Sequence, residues 1–131
     1  LLYDKGLTIL FRCPEGYTYR KVLDSNSLPP TLKKVGNYAF EYCKYVEEIY
    51  FPYGLTSFGI GTFRYCSGLT TLLLPSSHTG WGEGSFVGAT ALDVLYVNKE
   101  SLYGLDVSSR VNEFDDCKRG TLHTSGWGAL L

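Results

Sequence analysis

With 131 residues, 44% of them hydrophobic and 19% charged, the chain has the composition of one folded domain with a real core, which excludes wholesale disorder. A net charge of −1 gives no electrostatic footing for nucleic acid or an anionic membrane as partner. No apolar run approaches the roughly 18 residues that cross a bilayer, and four cysteines without a C-x-x-C pair form neither a disulfide scaffold nor a zinc pattern.

In chain order, residues 1–23 are expected to form strand, turn, strand and a further strand, with Asp4-Lys5-Gly6 as the first turn and Pro14-Glu15-Gly16 as the second. Residues 1–27 then serve either as an N-terminal cap on the repeat units that begin at Leu28 or as an insertion among such units.

Residues 28–97 carry an internal repeat with a period of 23, and nine columns agree in kind without gaps. Leu28, Phe51 and Leu74 precede Pro29, Pro52 and Pro75, and Leu32 and Leu55 come next, with His78 as the exception. Val35, Phe58 and Trp81 stand before Gly36, Gly59 and Gly82. The phenylalanines Phe40, Phe63 and Phe86 are identical, and Cys43, Cys66 and Ala89 are all small. Val46, Leu69 and Leu92 lead to Ile49, Leu72 and Leu95. One large apolar residue per column means that no unit buries its own face, whereas stacked units bury the columns as ladders. Glu48-Ile49-Tyr50-Phe51 alternates with period 2 and predicts a short strand ended by Pro52; the same pattern recurs around residues 72–74 and 95–97. The glycine column calls for positive φ or a close backbone approach, and the Ala39-Phe40-x-x-Cys43 stretch for a short helical or 3₁₀ turn. Residues 98–131 lose the period and are expected to be a degenerate C-terminal cap or tail, with a short helix starting at Asn98-Lys99-Glu100-Ser101.

The pattern I/L-P-x-x-V/L-x-x-I/V-G-x-x-A/T-F-x-x-C-x-x-L-x-x-I resembles the BspA-like, or treponemal-type, leucine-rich repeats. Residues 28–50 and 51–73 match it nearly throughout, and 74–96 keeps the frame. The opening segment, residues 1–17, is similar to the hairpin that interrupts the regular units in such proteins. The resemblance implies an α/β-type solenoid: a short right-handed coil with a parallel β-sheet, mostly strand and loop with short helical or 3₁₀ turns. It further implies a cell-surface or secreted protein engaged in adhesion or in binding a host or neighbouring-cell protein. A protein is the expected partner, a glycan the alternative, and no membrane insertion, cofactor or metal is called for.

Chemistry has little footing. Cys117, between Asp115-Asp116 and Lys118-Arg119, has His123 six residues on, but a nucleophile also needs a base in reach, an orienting group and an oxyanion site. A free or buried thiol is the simpler reading, and no enzymatic activity is expected. Cys43 and Cys66 share a column that wants small apolar wedges; a disulfide between adjacent units would need distortion, half a metal site is the other alternative, and pairing of Cys13 elsewhere stays open. His78 reads as a sign that the third unit opens towards solvent, or as a histidine bonded to a backbone acceptor, rather than as a ligand, and Trp81 as a core or end-cover residue. The promising positions lie outward on the strands, in two columns: Glu48, Thr71 and Val94, then Tyr50, Leu73 and Tyr96. The second forms an aromatic–aliphatic stripe suited to anchoring a partner, unless other parts of the chain cover it. The function expected is a non-enzymatic interaction module binding through this strand face; the alternatives are a structural spacer and an accessory region of a larger enzyme.

Overall fold

The computed structural model describes residues 1–75, 77, 82–92, 94–96 and 121–123, the last two stretches as backbone strands. The expectations for His78, Trp81, residues 98–101 and the Cys117 segment lie outside the described residues.

Alternation of inward apolar and outward polar residues produces two rows of short strands. The first sheet runs β1 (Leu2–Tyr3), β2 (Ile9–Arg12), β4 (Lys34–Val35) and β6 (Ser57–Phe58). The second runs β3 (Val22–Leu23), β5 (Glu48–Tyr50), β7 (Thr71–Leu73), β8 (Val94–Tyr96) and β9 (Thr121–His123). Among the described strands only β1 is antiparallel to its neighbour; every other pairing is parallel. β4 and β6, and β5, β7 and β8, pair at the 23-residue period, Lys34 with Ser57, Glu48 with Thr71 and Thr71 with Val94, whereas β8 and β9 pair 27 residues apart, Val94 with Thr121. Leu10, Val35 and Phe58 point inward from the first sheet, Leu23, Ile49 and Leu72 from the second.

Two features differ from the sequence expectation. The repeat predicts a single parallel sheet, whereas the Lys34–Val35 and Ser57–Phe58 pairs build a second one. Among the described residues no segment is helical, and the stretch 40–43 is a series of turns, with the amide of Cys43 donating to Phe40 O at 3.0 Å. The cause is local. Tyr38, Tyr42 and Tyr65 take left-handed φ values of 55°, 60° and 57°, and Gly61, Gly84 and Gly88 do so at the equivalent positions of later units. A left-handed residue every fourth position stops helix propagation. The amides thus freed bind the next unit instead: Tyr38, Phe40 and Tyr42 donate to Ile60, Thr62 and Arg64, while Gly61, Phe63 and Tyr65 donate to Glu83, Ser85 and Val87.

Inside the turns Phe40, Phe63 and Phe86 stack face to face, with centroids 5.6 and 5.5 Å apart. Phe51 and Phe58 pack on the same column. The residue before each phenylalanine is small and buried. Where it carries a hydroxyl, that group donates to a carbonyl three residues back, Thr62 to Gly59 at 2.8 Å and Ser85 to Gly82 at 2.6 Å. Of the two readings of the glycine column, close approach is the correct one: Gly36, Gly59 and Gly82 have no positive φ, and a Cβ on Gly59 or Gly82 would meet the backbone of the unit before.

The N-terminal segment joins the ladders at a different spacing, Ile9 pairing with Lys34 and Val22 with Glu48. Its Arg12 and Cys13 meet carbonyls in the turns of the first 23-residue unit. The Cys13 amide donates to Ala39 O at 2.6 Å, and the Arg12 guanidinium donates to Glu41 O at 3.4 Å and to Tyr38 O. At Ala39 O and Glu41 O they stand where a preceding regular unit would bond, as Thr62 O and Arg64 O accept from Phe40 and Tyr42.

The first hairpin is organised by Asp4. Its Oδ1 accepts from the amides of Thr8 (2.7 Å) and Ile9 (2.8 Å), and its Oδ2 from the Thr8 hydroxyl (2.6 Å). Led by the Thr8 hydroxyl, these donors hold the carboxyl below its ordinary value of 3.8. Because the folded value is the lower one, this support is present above the unfolded value and is lost as pH falls through the folded one. Amide exchange at Thr8 and Ile9 should therefore quicken relative to core amides between about pH 6 and about pH 2. Asp4→Asn should show the looser hairpin at both, and identical protection in the variant and the wild type would contradict this role.

Candidate interaction surface

The parallel register that builds the second sheet also builds outward columns. Glu48 pairs with Thr71 and Thr71 with Val94; Tyr50 pairs with Leu73 and Leu73 with Tyr96. Strand β9 continues both columns along the backbone, through Thr121 beside Val94 and His123 beside Tyr96. All six expected positions thus lie side by side on three neighbouring strands. Their side chains, described for β5 and β7, are not equivalent. Glu48, Tyr50 and Thr71 are half-buried, with Ile49 and Leu72 facing the core between them. Leu73 is only 3% exposed and belongs to the core cluster, so between β5 and β7 the apolar stripe is presented by Tyr50. The Tyr50 hydroxyl donates to Glu48 Oε1 at 2.7 Å, joining the two columns and fixing the ring over the sheet.

The turns carry a second feature that periodicity does not single out. The Tyr42 and Tyr65 rings stack with centroids 5.1 Å apart, and Arg64 lies 5.1 Å from the centroid of the Tyr65 ring. Arg64 also pairs with Glu41 at 3.8 Å. Tyr38 lies over Gly61, and Tyr65 over Gly88, where a side chain would collide with the ring. A shallow hollow of about 190 Å³ opens between Tyr38, Ile60, Arg64 and Val87. Composition shows that tyrosine is abundant, with 11 copies, but does not place it. The available signal is the exchange of Tyr for Gly within two columns, 38/61/84 and 42/65/88.

Cys13, Cys43 and Cys66 are free and buried. The Cys43 thiol donates to Cys13 O at 3.2 Å and the Cys66 thiol to Phe40 O at 2.7 Å. Burial, and then the neighbouring Cys43, push the Cys66 thiol well above its ordinary range, which makes it an inert wedge. At Tyr3 burial is also the main cause of a phenol pushed up to about 12. Among the described residues no group of three or more His, Cys, Asp or Glu side chains is placed to hold a metal ion. Nor is there among them a helix long and apolar enough to cross a membrane.

Comparison with known proteins agrees with the architecture. Residues 15–117 match the family model described as BspA type leucine rich repeat region (6 copies). The crystal structure of a leucine-rich repeat protein from Bacteroides ovatus ATCC 8483 superimposes with a TM-score of 0.58 at 26% identity, covering 72% of this chain and 24% of that one. A Treponema pallidum leucine rich repeat protein gives a TM-score of 0.52 at 30% identity, covering 54% of this chain and 33% of that one. This chain therefore spans a third or less of the length of either structure. No curated protein matches it.

Proposed function

Because the chain belongs to the BspA-type leucine-rich-repeat family, we propose that it is a slice of a right-handed solenoid and acts as a non-enzymatic protein-interaction module. In this reading the parent protein is secreted or displayed at a cell surface, and the module takes part in adhesion or in capturing a host or neighbouring-cell protein. The supporting observation is the strand face. Glu48, Tyr50 and Thr71 stand partly exposed in columns held in register by three parallel strands, and Val94 and Tyr96 continue those columns. A tyrosine pinned by a carboxylate gives a partner a rigid amphipathic anchor at small entropic cost. Protein fits this mixed face better than glycan, which is the alternative ligand.

A second reading, that of a structural spacer projecting another domain, is favoured by the burial of Leu73, which reduces the apolar area on offer. One screen separates the two. Wild type and a Tyr50→Ala/Tyr96→Ala variant are applied to an array of extracellular proteins and to a glycan array. The binding reading expects protein hits for wild type that the variant loses. Hits shared equally by both would remove the strand face from the account, and silence on both arrays would leave the spacer as the function.

A further inference from the structure

We propose that Cys13 and Cys43 form a disulfide in oxidising surroundings, stapling the end of β2 to the turn of the first 23-residue unit. The two thiols converge on one place. Cys43 Sγ lies 3.2 Å from Cys13 O and 3.7 Å from Pro14 O, and Cys13 Sγ lies 3.8 Å from that same Pro14 oxygen. Side chains from neighbouring units must meet in this way before a bridge can close. The third thiol is engaged elsewhere: Cys66 donates to Phe40 O at 2.7 Å, in the turn before Cys43.

The location gives the bridge a purpose. The segment before Leu28 departs from the 23-residue spacing, and its junction with the first unit includes the bonds from Arg12 and Cys13 to the carbonyls of Tyr38, Ala39 and Glu41. A bond from Cys13 to Cys43 makes that junction covalent and closes a long loop in the unfolded chain.

The chemistry requires a disulfide as oxidant, such as glutathione disulfide. Once exposed, the Cys13 thiol attacks as the thiolate, releasing one glutathione and leaving a mixed disulfide. The Cys43 thiolate then attacks the Cys13 sulfur, forming the bridge and expelling the second glutathione. The cysteines lose two electrons, the glutathione disulfide gains them, and the two thiol protons end on the two glutathiones. Both thiols are buried, so exchange proceeds during folding or through local opening of the junction between the segment before Leu28 and the first unit.

The test is refolding of the whole chain in a mixture of glutathione and glutathione disulfide, followed by alkylation and peptide mapping without reduction. A Cys13–Cys43 linked peptide is expected, with Cys66 alkylated only after denaturation. Alkylation of both Cys13 and Cys43, or linkage of either to Cys66 or Cys117, would overturn the proposal. As a second readout, Tm should rise by several degrees between the reduced and oxidised forms of wild type. The rise should persist in Cys66→Ala, which installs the residue the third unit has at Ala89, and vanish in Cys13→Ser. A rise unaffected by Cys13→Ser would equally refute it.

Discussion

Phe63→Ala is expected to lower the unfolding free energy by about 4–5 kcal/mol, at the upper end of what a buried phenylalanine costs. Phe63 is fully buried and touches four other rings: Phe40 and Phe86 stacked above and below it, Phe58 edge-on and Phe51 tilted. Aromatic pairs contribute roughly 0.5–1.5 kcal/mol each beyond their buried area, so several such terms are lost together. The surrounding backbone cannot collapse into the cavity, because the amides of Phe40 and Phe63 are tied to the units after them. In a one-dimensional stack the loss weakens the interfaces on both sides of the mutated unit. Set against a typical total of about 5–15 kcal/mol, this is a large part of the stability. Urea unfolding monitored by circular dichroism should show the midpoint drop. Phe63→Leu, which keeps most of the volume, should cost less than half as much, and a loss under about 1.5 kcal/mol for alanine would mean that the aromatic ladder is not what holds the units together.

Gly59→Ala should be nearly as damaging, for a different reason. A Cβ there would lie 2.5 Å from the amide nitrogen of Asn37 and 2.7 Å from the carbonyl carbon of Gly36, and backbone cannot step aside without parting two units. Overpacking of this kind costs about 3 kcal/mol. Gly36→Ala provides the internal control: it is the same column and the same substitution, but the nearest atom is Leu10 O at 3.3 Å. That contact needs a shift of only a few tenths of an ångström, and the expected cost is under about 1 kcal/mol. The comparison uses the same urea titrations. Equal costs at the two sites would show that the column is required for conformational freedom rather than for close approach.

These two columns also show how far the sequence can be read. Phe63 and Gly59 recur at a fixed interval with large and minimal volume respectively, so periodicity marks the first as an inward wedge, but leaves the second open between positive φ and close approach until the backbone is seen. The second sheet is hidden because Lys34–Val35 and Ser57–Phe58 are two-residue strands, too short to show an alternation. The turns read as helical because tyrosine rarely adopts left-handed φ; at Tyr38, Tyr42 and Tyr65 the inter-unit hydrogen bonds impose it, and propensity cannot report a tertiary constraint. The entry of β2 and β3 into the ladders escapes a periodicity search because their pairing departs from the 23-residue interval. On the strand face, alternation correctly turns Ile49 and Leu72 inward and Glu48, Tyr50 and Thr71 outward, whereas the burial of Leu73 depends on neighbours that no local pattern specifies.

The strand-face account is tested most directly by titrating a protein captured on the array against three forms of the chain. These are wild type, Tyr50→Ala/Tyr96→Ala on the strand face, and Tyr42→Gly on the turn face, the last installing the residue that the third unit carries at Gly88. Removing both tyrosines should raise Kd by at least about tenfold, while the turn-face variant should bind like wild type. The reverse pattern, with Tyr42→Gly weakened and the strand-face variant unchanged, would contradict the account and move the binding surface to the stacked tyrosines of the turns.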